Sequence, residues 1–126
     1  MNKSISPTSV LTGTILAPPD KSISHRAAIL NALAHGQAKI NNYSQGADCR
    51  ATLDCLEALG VVVQGYPSSQ DMNSRSVNLL IKSPGIDGLK EPENILDAKN
   101  SGTTMRLLLG VLAGLPFFSV ITGDES

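Results

Sequence analysis

The sequence predicts an α/β (α+β) fold in which strands and helices alternate along most of the chain. Helix-start residues stand at Asp20, Asp48 and Asn100, each ahead of a run with apolar residues at helical spacing. Between them lie short β-branched stretches bounded by glycine, proline and polar residues. The 126 residues are 41% hydrophobic, enough to enclose one core. The order read from these signals is β-α-β-α-β-β, followed by β-α-β.

Thr12 to Leu16 reads as a short strand that ends at Pro18-Pro19. Asp20 caps a helix whose apolar stripe is Ile23, Ala27, Leu30 and Ala34, with His35 in its last turn and Gly36 as its stop. Ala38 to Tyr43 is a strand. Asp48 caps a second helix, with Cys49, Leu53, Leu56 and Leu59 facing inward and Gly60 as its stop. Val61 to Tyr66 and Val77 to Lys82 are strands, joined by a polar loop over 67–75. Pro84 to Pro92 is irregular, and Asn94 to Asp97 reads as a short strand. Asn100 caps a third helix to about Leu115, apolar on nearly every side after Arg106 and so expected to be buried on most faces. Phe117 to Thr122 closes the chain as a strand. A shift of 80 residues lays Asp20 over Asn100, Ser24 over Thr104 and Arg26 over Arg106, which suggests that a structural unit restarts near residue 85.

Composition excludes several classes of partner. A net charge of −1 gives no general attraction to nucleic acid or to an anionic membrane. With no Trp, two Tyr and two Phe, a stacking platform for bases is not expected. The longest apolar run, Leu107 to Phe118, is broken by Gly110, Gly114 and Pro116 and is too short for a membrane span. Cys49 and Cys55 share one predicted helix, about 240° apart around it and about 9 Å along it, so they cannot bridge there. They read as small apolar fillers, and with no leader-like start a cytoplasmic setting is expected.

Two segments could carry chemistry. Asp20-Lys21-Ser22-Ile23-Ser24-His25-Arg26 puts a lysine, a hydroxyl and an arginine on the first turns of a helix, where free N–H groups and the helix dipole favour an anion. Ser22 and Arg26 share a face, and a guanidinium grips phosphate or carboxylate with two parallel hydrogen bonds. The same residues also suit a well-capped, solvated first turn, and Asp20 itself occupies part of the site. Asn100-Ser101-Gly102-Thr103-Thr104-Met105-Arg106 is the second segment. There Gly102 lets a ligand approach the backbone and three hydroxyls stand nearby, though a capping and packing role fits equally well. His25 adjoins the first cluster but points about 100° away from Arg26 around the helix. His35 reads as a helix-end cap, and Asp54 with Glu57 as a surface pair. No metal-ligand spacing and no Ser/His/Asp or Cys/His set is legible.

These two segments, in this order and about eighty residues apart, resemble the 5-enolpyruvylshikimate-3-phosphate synthase (3-phosphoshikimate 1-carboxyvinyltransferase) family, as does the closing Thr122-Gly123-Asp124-Glu125-Ser126. The resemblance runs over essentially the whole chain. It implies transfer of the enolpyruvyl group of phosphoenolpyruvate to the 5-hydroxyl of shikimate 3-phosphate, with release of phosphate, through a tetrahedral addition intermediate and with no metal or organic cofactor. This is a step of the shikimate pathway to chorismate and the aromatic amino acids. By the same resemblance, Lys21, Ser22 and Arg26 bind shikimate 3-phosphate, Lys21 also touches phosphoenolpyruvate and acts in catalysis, and Gly102 lies against phosphoenolpyruvate in the space that the herbicide glyphosate occupies. Leu107 and Ser101-Gly102-Thr103-Thr104 depart from the plant and enteric pattern and look more like the form of many other bacteria.

Members of the family have two domains, each of three β-α-β-α-β-β units, with the site in the cleft between them. The chain is roughly a third of that. It is therefore expected to be an N-terminal portion holding about one and a half units and lacking turnover by itself. Residues 1–17 would form a strand region packed with the missing second domain, and 18–126 an incomplete first domain with units at about 18–83 and 84–126. Its partners would be the two substrates and the missing C-terminal portion of the same protein, with no nucleic acid and no membrane. A related transferase acting on a UDP-sugar shares the fold, but its matching segment reads Lys-Asn without the Ser-x-Ser-His-Arg seen here. A non-catalytic anion-binding module of the same fold is the other alternative.

Overall fold

The structure, a computed structural model, describes residues 3, 4, 6, 7, 9, 10, 12, 13, 15, 17–65 and 76–125. Asp20 opens α1 (Lys21–Leu33): its backbone is extended and its carboxylate accepts the Ile23 N–H at 2.7 Å. The helix ends without a loop. Ala34 is already extended while its N–H still reaches Leu30, so His35 and Gly36, expected as the last turn and stop, are instead the first residues of β1 (His35–Ser44). At Asn42 the strand bulges with φ 59°, its N–H donating to Asn78 Oδ1 at 3.0 Å and its amide to the Ala17 carbonyl at 2.8 Å.

Helix α2 (Ala47–Ala58) is capped by Gly46, not Asp48. Asp48 sits inside the first turn, where the helix dipole still favours its charge. The end of α2 falls where expected. Gly60, at φ +94°, donates to Glu57, and Val61 donates back to Leu56, the paired bonds of a left-handed glycine terminus. β2 (Val62–Gln64) and β3 (Ser76–Pro84) complete an antiparallel sheet of order β1-β3-β2. Tyr66 and the expected loop over 67–75 lie outside the described residues.

A short 3₁₀ turn (Ile86–Gly88) leads to β4 (Leu96–Asp97), α3 (Gly102–Leu112) and β5 (Ile121–Thr122). β4 and β5 pair in parallel across α3, a small β-α-β crossover. The closing strand is shorter than the expected Phe117–Thr122, and Phe118 and Val120 are exposed. Of the strand expected over Thr12 to Leu16, residues 12, 13 and 15 lie in no strand, and Thr14 and Leu16 are outside the described residues.

The core lies between one face of the sheet and α1 with α2. Ala28, Ile29, Leu53, Leu56, Leu79 and Ile81 fill it, with Leu96 and Leu108 extending it toward α3. Two expectations about faces are corrected. On α1 the stripe is turned by about one residue: Ile23 and Leu30 are more than 60% exposed, while Ser24, His25, Ala28, Ile29 and Ala32 face inward. Buried polar groups at Ser24 and His25 draw the helix round because both find hydrogen-bond partners inside. On α3 only Thr104, Leu108 and Leu112 are buried, and Leu107 and Leu109 are exposed.

Cys49 and Cys55 are buried free thiols. Burial raises both, Cys55 to about 11, so they remain protonated fillers at neutral pH, as their spacing implied.

Candidate functional site

The site is assembled from the starts of α1 and α3, with α2 between them. Asp20 fixes the first turn of α1 and thereby sets Lys21 and Ser22 at its exposed opening, with Arg26 one turn on. Ser24 anchors this turn to the sheet: its hydroxyl donates to the Asp20 carbonyl at 2.7 Å and accepts the Ser44 N–H at 3.0 Å.

Lys21 reaches across to α2 and pairs with the Asp48 carboxylate. The hydrogen bond to Asp48 raises the Lys21 pKa above its ordinary value, so the ammonium is fully charged at neutral pH. Arg26 has no acidic partner among the described residues and borders an open groove between α1 and α3 with Leu107, Gly110 and Val111.

At α3 the cap is Ser101, one residue later than expected: its hydroxyl accepts the Thr104 N–H at 3.2 Å. The internal echo is therefore imperfect, with Arg26 six residues past its cap and Arg106 five. Gly102, the first residue of α3, is exposed and has no left-handed φ. A Cβ there would meet only the Arg106 guanidinium, with Nη1 at 2.9 Å, the movable end of a flexible side chain. The fold does not require glycine at 102. What the bare backbone allows at this helix start is the close approach of the Arg106 guanidinium, which also has no acidic partner among the described residues.

Beneath these exposed groups runs a line of buried ones. His25 Nδ1 lies 2.6 Å from Thr52 Oγ1 on α2, and Thr52 Oγ1 lies 2.7 Å from Thr104 Oγ1 on α3. Thr104 Oγ1 is also 2.7 Å from Ser101 Oγ and 3.2 Å from the Asp48 carbonyl. All four side chains are buried, His25, Thr52 and Thr104 completely. Burial, then the charge of Lys21, lowers the His25 pKa, with Asp48 opposing, so the ring is neutral at neutral pH.

Sequence reasoning placed Lys21, Ser22, Arg26 and Gly102 at two helix starts, and the structure sets those starts on helices that share the same buried contacts. It missed Thr52. A signal existed, since Thr52 stands three residues after Cys49 and four before Leu56, on the inward side of a helix read as apolar there.

A second depression, beside the far end of α2, is lined by Asp54, Glu57, Glu91, Glu93 and Asp97 with Lys90 and Lys99. Asp54 there pairs with Arg50 and Lys99. Five carboxylates against two lysines disfavour a phosphorylated ligand in it. Among the described residues no group of three or more His, Cys, Asp and Glu is arranged to hold a metal ion, and no helix is long and apolar enough to cross a membrane.

Comparison with known proteins identifies the family. Residues 5–126 match the family model for EPSP synthase (3-phosphoshikimate 1-carboxyvinyltransferase). A 3-phosphoshikimate 1-carboxyvinyltransferase of Pelotomaculum thermopropionicum is 54% identical over 116 residues, covering 92% of this chain and 25% of the relative. That of Bacillus subtilis is 50% identical over 116 residues, with 92% and 25% covered. The solved EPSP synthase from Acinetobacter baumannii superposes with a TM-score of 0.77 at 38% identity, covering 90% of this chain and 24% of that one. The chain thus spans about a quarter of the length of the curated relatives it matches, less than the third expected. With a family match over residues 5–126 and the fold in agreement, this chain belongs to the EPSP synthase (3-phosphoshikimate 1-carboxyvinyltransferase) family.

Proposed function

We propose that this chain forms one wall of a 3-phosphoshikimate 1-carboxyvinyltransferase active site. In this reading Lys21, Ser22 and Arg26 hold shikimate 3-phosphate, and Lys21 and Gly102 meet phosphoenolpyruvate, with Lys21 bridging the two. The 5-hydroxyl oxygen gives up its proton as it adds to C2 of phosphoenolpyruvate, while C3 gains a proton and becomes a methyl group. The tetrahedral intermediate then loses one methyl proton as the C2–O bond to phosphate breaks and phosphate leaves. Two polyanions meeting in one cleft need fixed cations, and a charged lysine and a bidentate arginine at a helix start supply them.

One observation carries the reading: Gly102 opens a helix start beside Arg106 although the fold would accept a side chain there. A UDP-sugar transferase of the same fold is disfavoured by Ser22 to Arg26, which the matching segment of that family lacks.

The proposal extends to organisation. Residues 1–17 belong with a second domain, 18–83 form a first unit, and 84–126 begin a second. The remaining portion of the same protein supplies the opposite wall, in the cytoplasm. The exposed apolar side chains Ile23, Leu30, Leu107 and Leu109 support further packing against these helices, as does coverage of only a quarter of the relatives.

The test is phosphate release from phosphoenolpyruvate and shikimate 3-phosphate. A full-length synthase carrying this segment turns over, and Lys21→Ala and Arg26→Ala each lower kcat/KM by at least a hundredfold through lost charged contacts. The 126-residue chain alone releases none. Near-normal kinetics in both variants would sink the assigned roles.

A further inference from the structure

Only one arrangement of protons fills every contact of the buried line from His25 to Ser101. Four contacts each need one hydrogen: His25 Nδ1 with Thr52 Oγ1, Thr52 with Thr104, Thr104 with Ser101, and Thr104 with the Asp48 carbonyl. Three hydroxyls bring three hydrogens and the carbonyl brings none. Thr104 therefore donates its hydrogen to the Asp48 carbonyl, which can only accept. Its two lone pairs receive the hydroxyls of Thr52 and Ser101. Thr52 has then spent its hydrogen on Thr104, and its contact with His25 is filled only if Nδ1 carries the fourth. Ser101 Oγ accepts the Thr104 N–H, which completes its own partners.

We infer that Thr52 and Thr104 are positioning residues. Their hydroxyls form a directed chain, His25 Nδ1–H to Thr52 to Thr104 to the Asp48 carbonyl, that holds His25 in the Nδ1–H tautomer and ties the start of α3 to the start of α1.

Three further observations fit. His25 is fully buried, where the neutral ring is favoured, and its Nε2 is the buried side-chain polar atom left without a partner among the described residues. In the inferred tautomer Nε2 is a bare lone pair and not an orphaned N–H. The groups facing this ring are Lys21 on its own helix, Asp48 and Thr52 on α2, and through Thr52 the uncharged Thr104 on α3. The chain also ends on the residue whose carboxylate holds Lys21, so Asp48 contacts α3 through its carbonyl and α1 through its side chain. The consequence for function rests on the proposed reading: the spacing between Lys21 and Gly102 is set by hydroxyls that touch neither substrate.

The experiment uses the ¹⁵N-labelled 126-residue chain and long-range ¹H–¹⁵N spectra of its imidazoles above the ordinary histidine pKa. The expected result is a protonated Nδ1 and a bare Nε2 at His25. A proton on Nε2 overturns the chain. Thr52→Val keeps shape but removes the hydroxyl. It should change the His25 ring signals and shift the amides of Gly102 and Thr104, and Thr52→Ser should restore both. Unchanged α3 amides in Thr52→Val overturn the link. If Thr52→Val does not fold, Thr104→Ala probes the link from the other end and must move the His25 ring signals, and unmoved signals overturn it equally. Failure of the wild-type chain's relatives to use shikimate 3-phosphate would remove the functional consequence while leaving these spectra as inferred, so the two readings fail separately.

Discussion

Lys21 on α1 and Asp48 on α2 form an ion pair at the mouth of the candidate site, with Lys21 about half exposed and Asp48 less so. An anionic ligand that takes Lys21 must share it with this carboxylate. Asp48→Asn should lower the Lys21 pKa toward its ordinary value, read by ¹³C–¹H NMR of the side-chain methylenes. Lys21 is held above 10.5, so the pair's contribution to stability is complete below that value and is lost as pH rises through the raised pKa. The variant should therefore match the wild type in alkali and differ little at neutral pH, because an exposed pair is well screened. A large fall in Tm at neutral pH would contradict this.

The cap of α3 is open to a simple comparison. Ser101 is buried and accepts the Thr104 N–H, whereas Asn100 is exposed and outside the helix. Ser101→Ala should cost ~1–2 kcal/mol in urea unfolding, with the lost partner for Thr104 pushing it to the upper end. Asn100→Ala should stay within ~0.5 kcal/mol. The reverse order would restore Asn100 as the cap.

Asn100 and Ser101 also show what the sequence could and could not reveal. Both are good capping residues, and only the position of the helix chooses between them. Local signals that leave no choice were legible: Asp20 as a cap, Gly60 as a stop, and the β-branched strands around Val63 and Ile81. Burial of polar side chains was not. An apolar stripe through Ile23 and Leu30 looked right because hydropathy cannot foresee that Ser24 would bond Ser44 or that His25 would bond Thr52. Partners that lie 20 and 27 residues away leave no periodicity to read. That Lys21, Ser22, Arg26 and Gly102 stand on the opening turns of two helices was legible because helix-start signals are local, whereas the roles assigned to them came from the family resemblance. Of the groups beneath them, Thr52 left a signal in its inward place on α2, but their contacts were legible only once three helices were in place.

His25 gives the molecule a pH dependence of definite sign. Burial, aided by Lys21 and opposed by Asp48, holds its folded pKa below the ordinary 6.5. The unfolded chain therefore takes up a proton first as pH falls below 6.5, and folding stability declines until the folded pKa is reached. Urea midpoints measured from one unit above 6.5 to one unit below it should fall in the wild type. In His25→Asn, which can still donate to Thr52, the decline over this window should be shallower even if the starting stability is lower. Parallel curves would show that His25 does not differ between the two states.

Gly102 separates the needs of the fold from those of a ligand. Its backbone is helical and a Cβ would displace only the Arg106 guanidinium, so Gly102→Ala should leave the fold intact and gain up to ~1 kcal/mol from the reduced freedom of the unfolded chain. In a full-length synthase carrying this segment, the same methyl group would stand in the space assigned to phosphoenolpyruvate. The KM for phosphoenolpyruvate should then rise at least tenfold, while that for shikimate 3-phosphate changes little, because Lys21, Ser22 and Arg26 are untouched. Equal changes in both KM values would mean that the methyl group acts by moving α3 as a whole. An unchanged KM for phosphoenolpyruvate would mean that the open helix start at Gly102 faces something else.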